Sequence, residues 1–154
     1  DLRSMQTLEP LVLWAHLAST LYMTGLIWFV QVVHYPLKAH VGAEGFTAYQ
    51  AAHVSRTSFV VMPPMLVEAL TATWLAVAPP PGLSPTLAWV GLGLLGVIWL
   101  STMVFQIPAH RRLEAGLDPA TVTRLVRTNW IRTLGWTARS GLVLFPMAQA
   151  TSGA

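Results

Sequence analysis

The sequence predicts an all-α integral membrane protein, a four-helix bundle with an additional amphipathic interfacial helix. Hydrophobic residues fill 54% of its 154 positions and charged residues only 10%, where a soluble domain carries about 25% charged residues. Four stretches, 11–33, 58–77, 86–107 and 129–148, each approach the roughly 20 mostly apolar residues that cross a bilayer as a helix. Their few polar residues recur at helical spacing, as they must if they find partners inside a bundle, because lipid offers none. The whole chain, 1–154, reads as one membrane domain.

The first span, Leu11 to Val33, holds no charge. His16 and His34 lie about five turns apart and share a face with Thr20, Met23 and Ile27. Pro36 is expected to end this helix. Gly42 to Arg56 is too polar to span. Its Phe46, Tyr49, His53 and Arg56 fall at helical spacing and make an interfacial helix over about 43–56. It feeds the second span, 58–77, which Pro63 and Pro64 should kink. Glu68 is the one acid inside any span.

Residues 78–85 form a stiff, uncharged, Pro-rich turn. The third span, 86–107, offers Gly91, Gly93 and Gly96 for close helix approach and aligns Trp99, Gln106 and His110 on one face. Asp118 and Pro119 read as the N-cap and first position of a short basic helix with Arg124 and Arg127. That helix leads into the fourth span, where Asn129, Arg132, Trp136 and Arg139 form one polar stripe.

Lys38 and Arg56 lie in the first connection, and Arg111, Arg112, Arg124 and Arg127 in the third. The positive-inside rule places both connections in the cytoplasm and both termini outside, in a multi-pass protein of the cell inner membrane. The net charge of +3 therefore reports orientation, and no nucleic-acid partner is expected. The expected partners are the lipid bilayer and a lipophilic small molecule, with homo-oligomerisation left open.

Glu68 and Arg139 each lie roughly 11 residues from the cytoplasmic start of a span, about 15–18 Å deep. An unpaired charge there costs about 2.5–3.5 kcal/mol on insertion scales. The two are expected to form a buried ion pair, either a register clamp or a relay or gate. Nearer the cytoplasm, His34, His53, Arg56, Gln106, His110, Asn129 and Arg132 share a layer. Trp99 and Trp136 stand slightly deeper and wall a pocket for a flat, partly polar molecule. Three imidazoles from separate segments are a ligand set for iron, copper or zinc, and two of them suit a haem. Without a metal they are acid–base groups, and at an interface they can also simply cap helices or meet headgroups. The cofactor stays unknown at this point.

Trp28-Phe29-Val30-Gln31-Val32-Val33-His34-Tyr35-Pro36, then Phe46, Tyr49 and His53, then Gln106-Ile107-Pro108-Ala109-His110 and Asn129-Trp130-Ile131-Arg132 make a spaced pattern. It resembles small four-span bacterial membrane proteins similar to the anthrone-oxygenase-like group. The resemblance implies oxidation of an aromatic or quinol-like substrate in the membrane, with His34, His53, His110 and Arg132 as working residues.

The leading expectation is thus a membrane redox enzyme, oxygenase- or oxidase-like. His34, His53, His110 and Arg132 would be catalytic, with Trp99, Gln106, Asn129, Trp136 and Arg56 binding substrate. A carrier or channel gated by Glu68–Arg139, or an accessory subunit of a membrane complex, are the alternatives. Having no cysteine, the sequence excludes disulfides, thiolate metal sites and a Cys nucleophile. It also has no Gly-x-Ser-x-Gly elbow for hydrolase chemistry.

Overall fold

A computed structural model describes residues 2–152, with side chains placed for 9–145. Positions 1 and 153–154 of the single-domain reading, and the side chains of 146–148 in the fourth predicted span, lie outside the described residues. The elements are α1 (Leu2–Phe29), a π turn (Val30–His34), α2 (Tyr35–Leu37), a 3₁₀ turn (Lys38–His40), α3 (Ala43–Val77), α4 (Pro85–Ser101), a second π turn (Thr102–Gln106), α5 (Ile107–Leu113) and α6 (Pro119–Ser152). Among the described residues there is no strand. Three helical runs are long and apolar enough to cross a membrane: Glu9–His40, Ala43–Val77 and Pro85–Leu113.

The prolines corrected several expectations. Pro36 does not end the first helix, which runs on to His40. In a regular helix the Pro36 ring would meet the carbonyl four residues back. The π turn places one extra residue in that turn, closed by the Tyr35 N–H on the Val30 carbonyl. Pro108 is preceded in the same way, with the Ile107 N–H on the Thr102 carbonyl. Each insertion shifts the inward face. From α4 into α5 the buried positions run Leu95, Ile98 and Ser101, then jump five residues to Gln106 and on to Ala109 and Leu113.

No separate interfacial helix exists. Residues 43–56 are the first turns of α3, which continues through Pro63 and Pro64 to Val77. The basic segment with Arg124 and Arg127 is likewise continuous with the fourth predicted span, in α6. That helix is not among the three apolar enough to cross on composition, because its polar stripe dilutes it.

Packing follows chain order: α1 lies on α3 and α6, and α4 lies on α3 and α6. The core between them holds Met23, Ile27, Phe46, Met65, Ile98, Leu125 and Trp136. Polarity is arranged inside out. Lys38, Gln50, Glu68 and Asn129 are fully buried, while Phe59 is 82% and Leu70 73% exposed.

Close helix approach does not occur at Gly93 or Gly96, where an added Cβ would meet nothing within 4 Å. Gly91 would make only ordinary contact with Arg139. The tight crossing is at Gly135, where a Cβ would sit 2.8 Å from Ile98 Cγ1. Overpacking costs about 1–3 kcal/mol and the helix-propensity gain of Gly→Ala recovers up to about 1 kcal/mol. Gly135→Ala should therefore lower the unfolding temperature in detergent, whereas Gly93→Ala should not; equal temperatures for the two variants would contradict this packing.

Asp118 caps α6: Oδ1 accepts from the Ala120 N–H at 3.1 Å and Oδ2 from the Thr121 hydroxyl. The Thr121 bond, followed by the backbone N–H donors, holds the carboxyl below its ordinary value. A depressed folded-state value means the cap stabilises above the unfolded carboxylate pKa and loses that contribution as pH falls through the folded one. Wild type should lose unfolding temperature in that acid window by more than Asp118→Asn, which keeps a cap without titrating. Parallel acid scans of both proteins check this, and superimposable curves would contradict it.

Candidate functional site

The stripe on α6 organises the polar interior. Asn129, Arg132, Trp136 and Arg139 point inward with exposures of 0%, 6%, 0% and 1%. At its deep end Arg139 Nε lies 2.9 Å from Glu68 Oε1, so the structure brings this predicted pair together. Glu68 Oε1 also accepts from the Thr20 hydroxyl at 2.9 Å, and Oε2 accepts from the Trp136 indole N–H at 2.9 Å. Arg139 Nη1 donates to the Gly91 carbonyl. His16 joins this layer, with Nδ1 2.9 Å from Thr71 Oγ1.

Nearer the charged end, Asn129 Nδ2 donates to Gln31 Oε1 at 2.9 Å, and Arg132 Nη1 donates to Asn129 Oδ1 at 3.2 Å. The Arg132 guanidinium stacks 5.4 Å over the Trp136 ring. Gln106 Nε2 donates to Thr128 Oγ1 at 3.0 Å.

His34, His53 and His110 come together in the next layer. His34 Nε2 is 2.8 Å from His53 Nδ1, and the His53 and His110 rings are 5.1 Å apart. Three side chains that the sequence did not single out complete the cluster. Lys38 Nζ, fully buried, donates to Gln50 Oε1 at 2.8 Å. Gln50 Nε2 lies 3.0 Å from His110 Nδ1, and His110 Nε2 lies 3.0 Å from the Tyr35 hydroxyl.

Donor counting then fixes a tautomer. Lys38 can only donate, so the Gln50 oxygen faces it and the amide nitrogen faces His110. His110 Nδ1 must accept, which leaves the proton on Nε2, donated to the Tyr35 oxygen.

This wiring corrects the metal expectation. Both nitrogens of His110 are engaged by Gln50 and Tyr35, so His34, His53 and His110 do not converge as three free ligands. Among the described residues no group of three or more such side chains is arranged to hold an ion.

The tryptophan-walled pocket also dissolves. Trp136 is sealed in the core. Trp99 lines a separate open groove with Leu66 and Leu92, because the π turn after it rotates its face away from Gln106. Arg56 is exposed, yet it joins His34, Phe29, Thr57 and Val60 around a groove of about 200 Å³. Asn129, Gln106 and Arg132 each bond to an interior partner, while Gln106 Oε1 and Arg132 Nε are buried without one among the described residues.

Tyr35 was hidden because the π turn breaks the 3.6-residue rhythm that pointed to His34. Lys38 looked like a loop charge. Gln50 was legible, since it continues the buried face Phe46–Gln50–His53.

Electrostatically the histidine layer is one-sided. The charges of Lys38 and Arg132 both act on His110, and the one salt bridge among the described residues is Glu68–Arg139. Such a layer favours developing negative charge. The predicted tautomer gives a direct check: ¹⁵N spectra of histidine-labelled protein should show His110 as Nε2–H. Lys38→Met removes the donor that orients Gln50 and should turn this into a mixture; an unchanged pure signal would mean the amide is oriented by something else. Comparison with protein-family models, with curated proteins and with solved structures gives no match.

Proposed function

We propose that this chain is a four-helix, multi-pass protein of the inner membrane that oxidises a lipophilic aromatic or quinol-like substrate. The inside-out polarity supports the membrane reading, since buried Glu68, Arg139 and Lys38 contrast with exposed Phe59 and Leu70. The last helix α6 fits despite its composition. Beyond its basic first turns, Ile131, Leu134 and Phe145 face outward while Asn129, Arg132, Thr133, Arg139 and Ser140 are buried. Arg111, Arg112, Arg124 and Arg127 gather at the end opposite the uncharged Pro-rich turn, which supports the reading of that end as cytoplasmic and both termini as outside.

One observation carries the chemistry: His34, hydrogen-bonded to His53, forms part of an outward-opening apolar groove that also holds a cation, Arg56. In the tautomer with Nε2–H donated to His53 Nδ1, His34 Nδ1 is free to accept a proton. A carbon acid or phenol in the groove, of the kind the anthrone-oxygenase-like resemblance suggests, gives its proton to Nδ1. His34, half-buried and beside the forming anion, holds the charge while its Nε2–H stays donated to His53. Arg56 faces the enolate or phenolate oxygen.

For an anthrone-type CH₂, the carbanion adds dioxygen to give a peroxide anion, which takes the proton back from His34. Loss of water from the hydroperoxide leaves the ketone, so one O₂ yields one carbonyl oxygen and one water. The protein's share of this reaction is base, its orientation by His53, and anion stabilisation, with no metal required.

Oxygen uptake with anthrone in proteoliposomes tests the proposal. His34→Ala should lower the rate about 10²–10⁴-fold, a chelator should leave it unchanged, and Trp14→Phe on the apolar exterior should match wild type. A rate no higher than protein-free autoxidation, or one indifferent to His34→Ala, would sink it.

A further inference from the structure

A partly open cavity lies at the Pro-rich end, away from His34, His53 and His110. It measures about 340 Å³, within the range of ligand sites and far larger than one water needs. Leu17, Leu75, Leu87 and Leu142 give it apolar walls, and His16 and Arg139 are its polar members. Arg139 is 1% exposed, and its Nη2 has no hydrogen-bond partner among the described residues. Its Nε is bound to Glu68 and its Nη1 to the Gly91 carbonyl. Thr71 gives its hydroxyl proton to the Val67 carbonyl at 2.8 Å, so its oxygen accepts from His16 Nδ1 and leaves His16 Nε2 unprotonated.

The geometry points to this cavity as a second binding site, for an uncharged lipophile carrying a carbonyl oxygen, of quinone-ring type. Arg139 supplies the donor that such an oxygen satisfies. An anion is disfavoured because Glu68 already balances the guanidinium, and a further negative charge would be stripped of water against leucine walls. A pure hydrocarbon would fill the space but leave Nη2 unpaired. The site is independent of the His34 groove and of any reaction there.

The full chain in lipid nanodiscs tests this with three probes: duroquinone, its oxygen-free counterpart durene, and decanoate. Duroquinone should raise the unfolding temperature saturably, with durene at least tenfold weaker and decanoate without effect. Ala88→Phe, which fills the cavity from α4, should abolish the duroquinone shift, and Leu142→Phe, from α6, should do the same if the first variant folds poorly. His34→Ala should bind duroquinone as wild type does, which separates this site from the oxidation chemistry. Decanoate competing with duroquinone, durene binding equally well, or undiminished binding in a folded cavity-filled variant would each overturn the assignment.

Discussion

The carboxylate of Glu68 is the interaction on which the interior depends. It is fully buried and accepts from Thr20 on α1 and from Trp136 and Arg139 on α6. One side chain of α3 thereby sets the register of two other helices, and Arg139 extends the tie to α4 through the Gly91 carbonyl. Removing one partner from such an arrangement costs about 3–5 kcal/mol, because it leaves an uncompensated charge behind. With apolar residues facing outward, helix order here is decided by polar complementarity more than by grease.

The same logic explains the division of the interior. Around Glu68 the charges cancel, and the adjoining cavity is built for a neutral guest. Around His53 and His110 they do not: Lys38 is satisfied by Gln50 and lies 4.9 Å from the centre of the Tyr49 ring, without an acid. One half of the molecule is electrically quiet and the other holds unbalanced positive charge beside titratable rings. The proposed acid–base chemistry falls in the second half, and the proposed holding of a ligand in the first.

Much of this was legible in the residues. The stripe Asn129–Arg132–Trp136–Arg139 and the depth match of Glu68 with Arg139 follow from helical spacing alone, and both partners meet. The nearness of His34, His53 and His110 follows from where their segments end. What could not be read was the register after each π turn, because one inserted residue rotates every later side chain by about 100°. Tyr35 replaced His34 as the fully buried residue, and Trp99 parted from Gln106, for that reason. Lys38 was misplaced because buried lysines are rare and its neighbours resemble a loop. The separate interfacial helix vanished because 43–56 and 58–77 join with no residue that breaks a helix between them.

The fact that Glu68 takes three of its hydrogen bonds from α1 and α6 has a consequence for biogenesis. The carboxylate is synthesised roughly seventy residues before Arg139, so for much of translation α1 and α3 stand together with only Thr20 to meet it. The first three helices cannot settle into a finished arrangement on their own. Helix α6, made after α1, α3 and α4, acts as the keystone, and a chain truncated before it would present an acid with no cation to quality control.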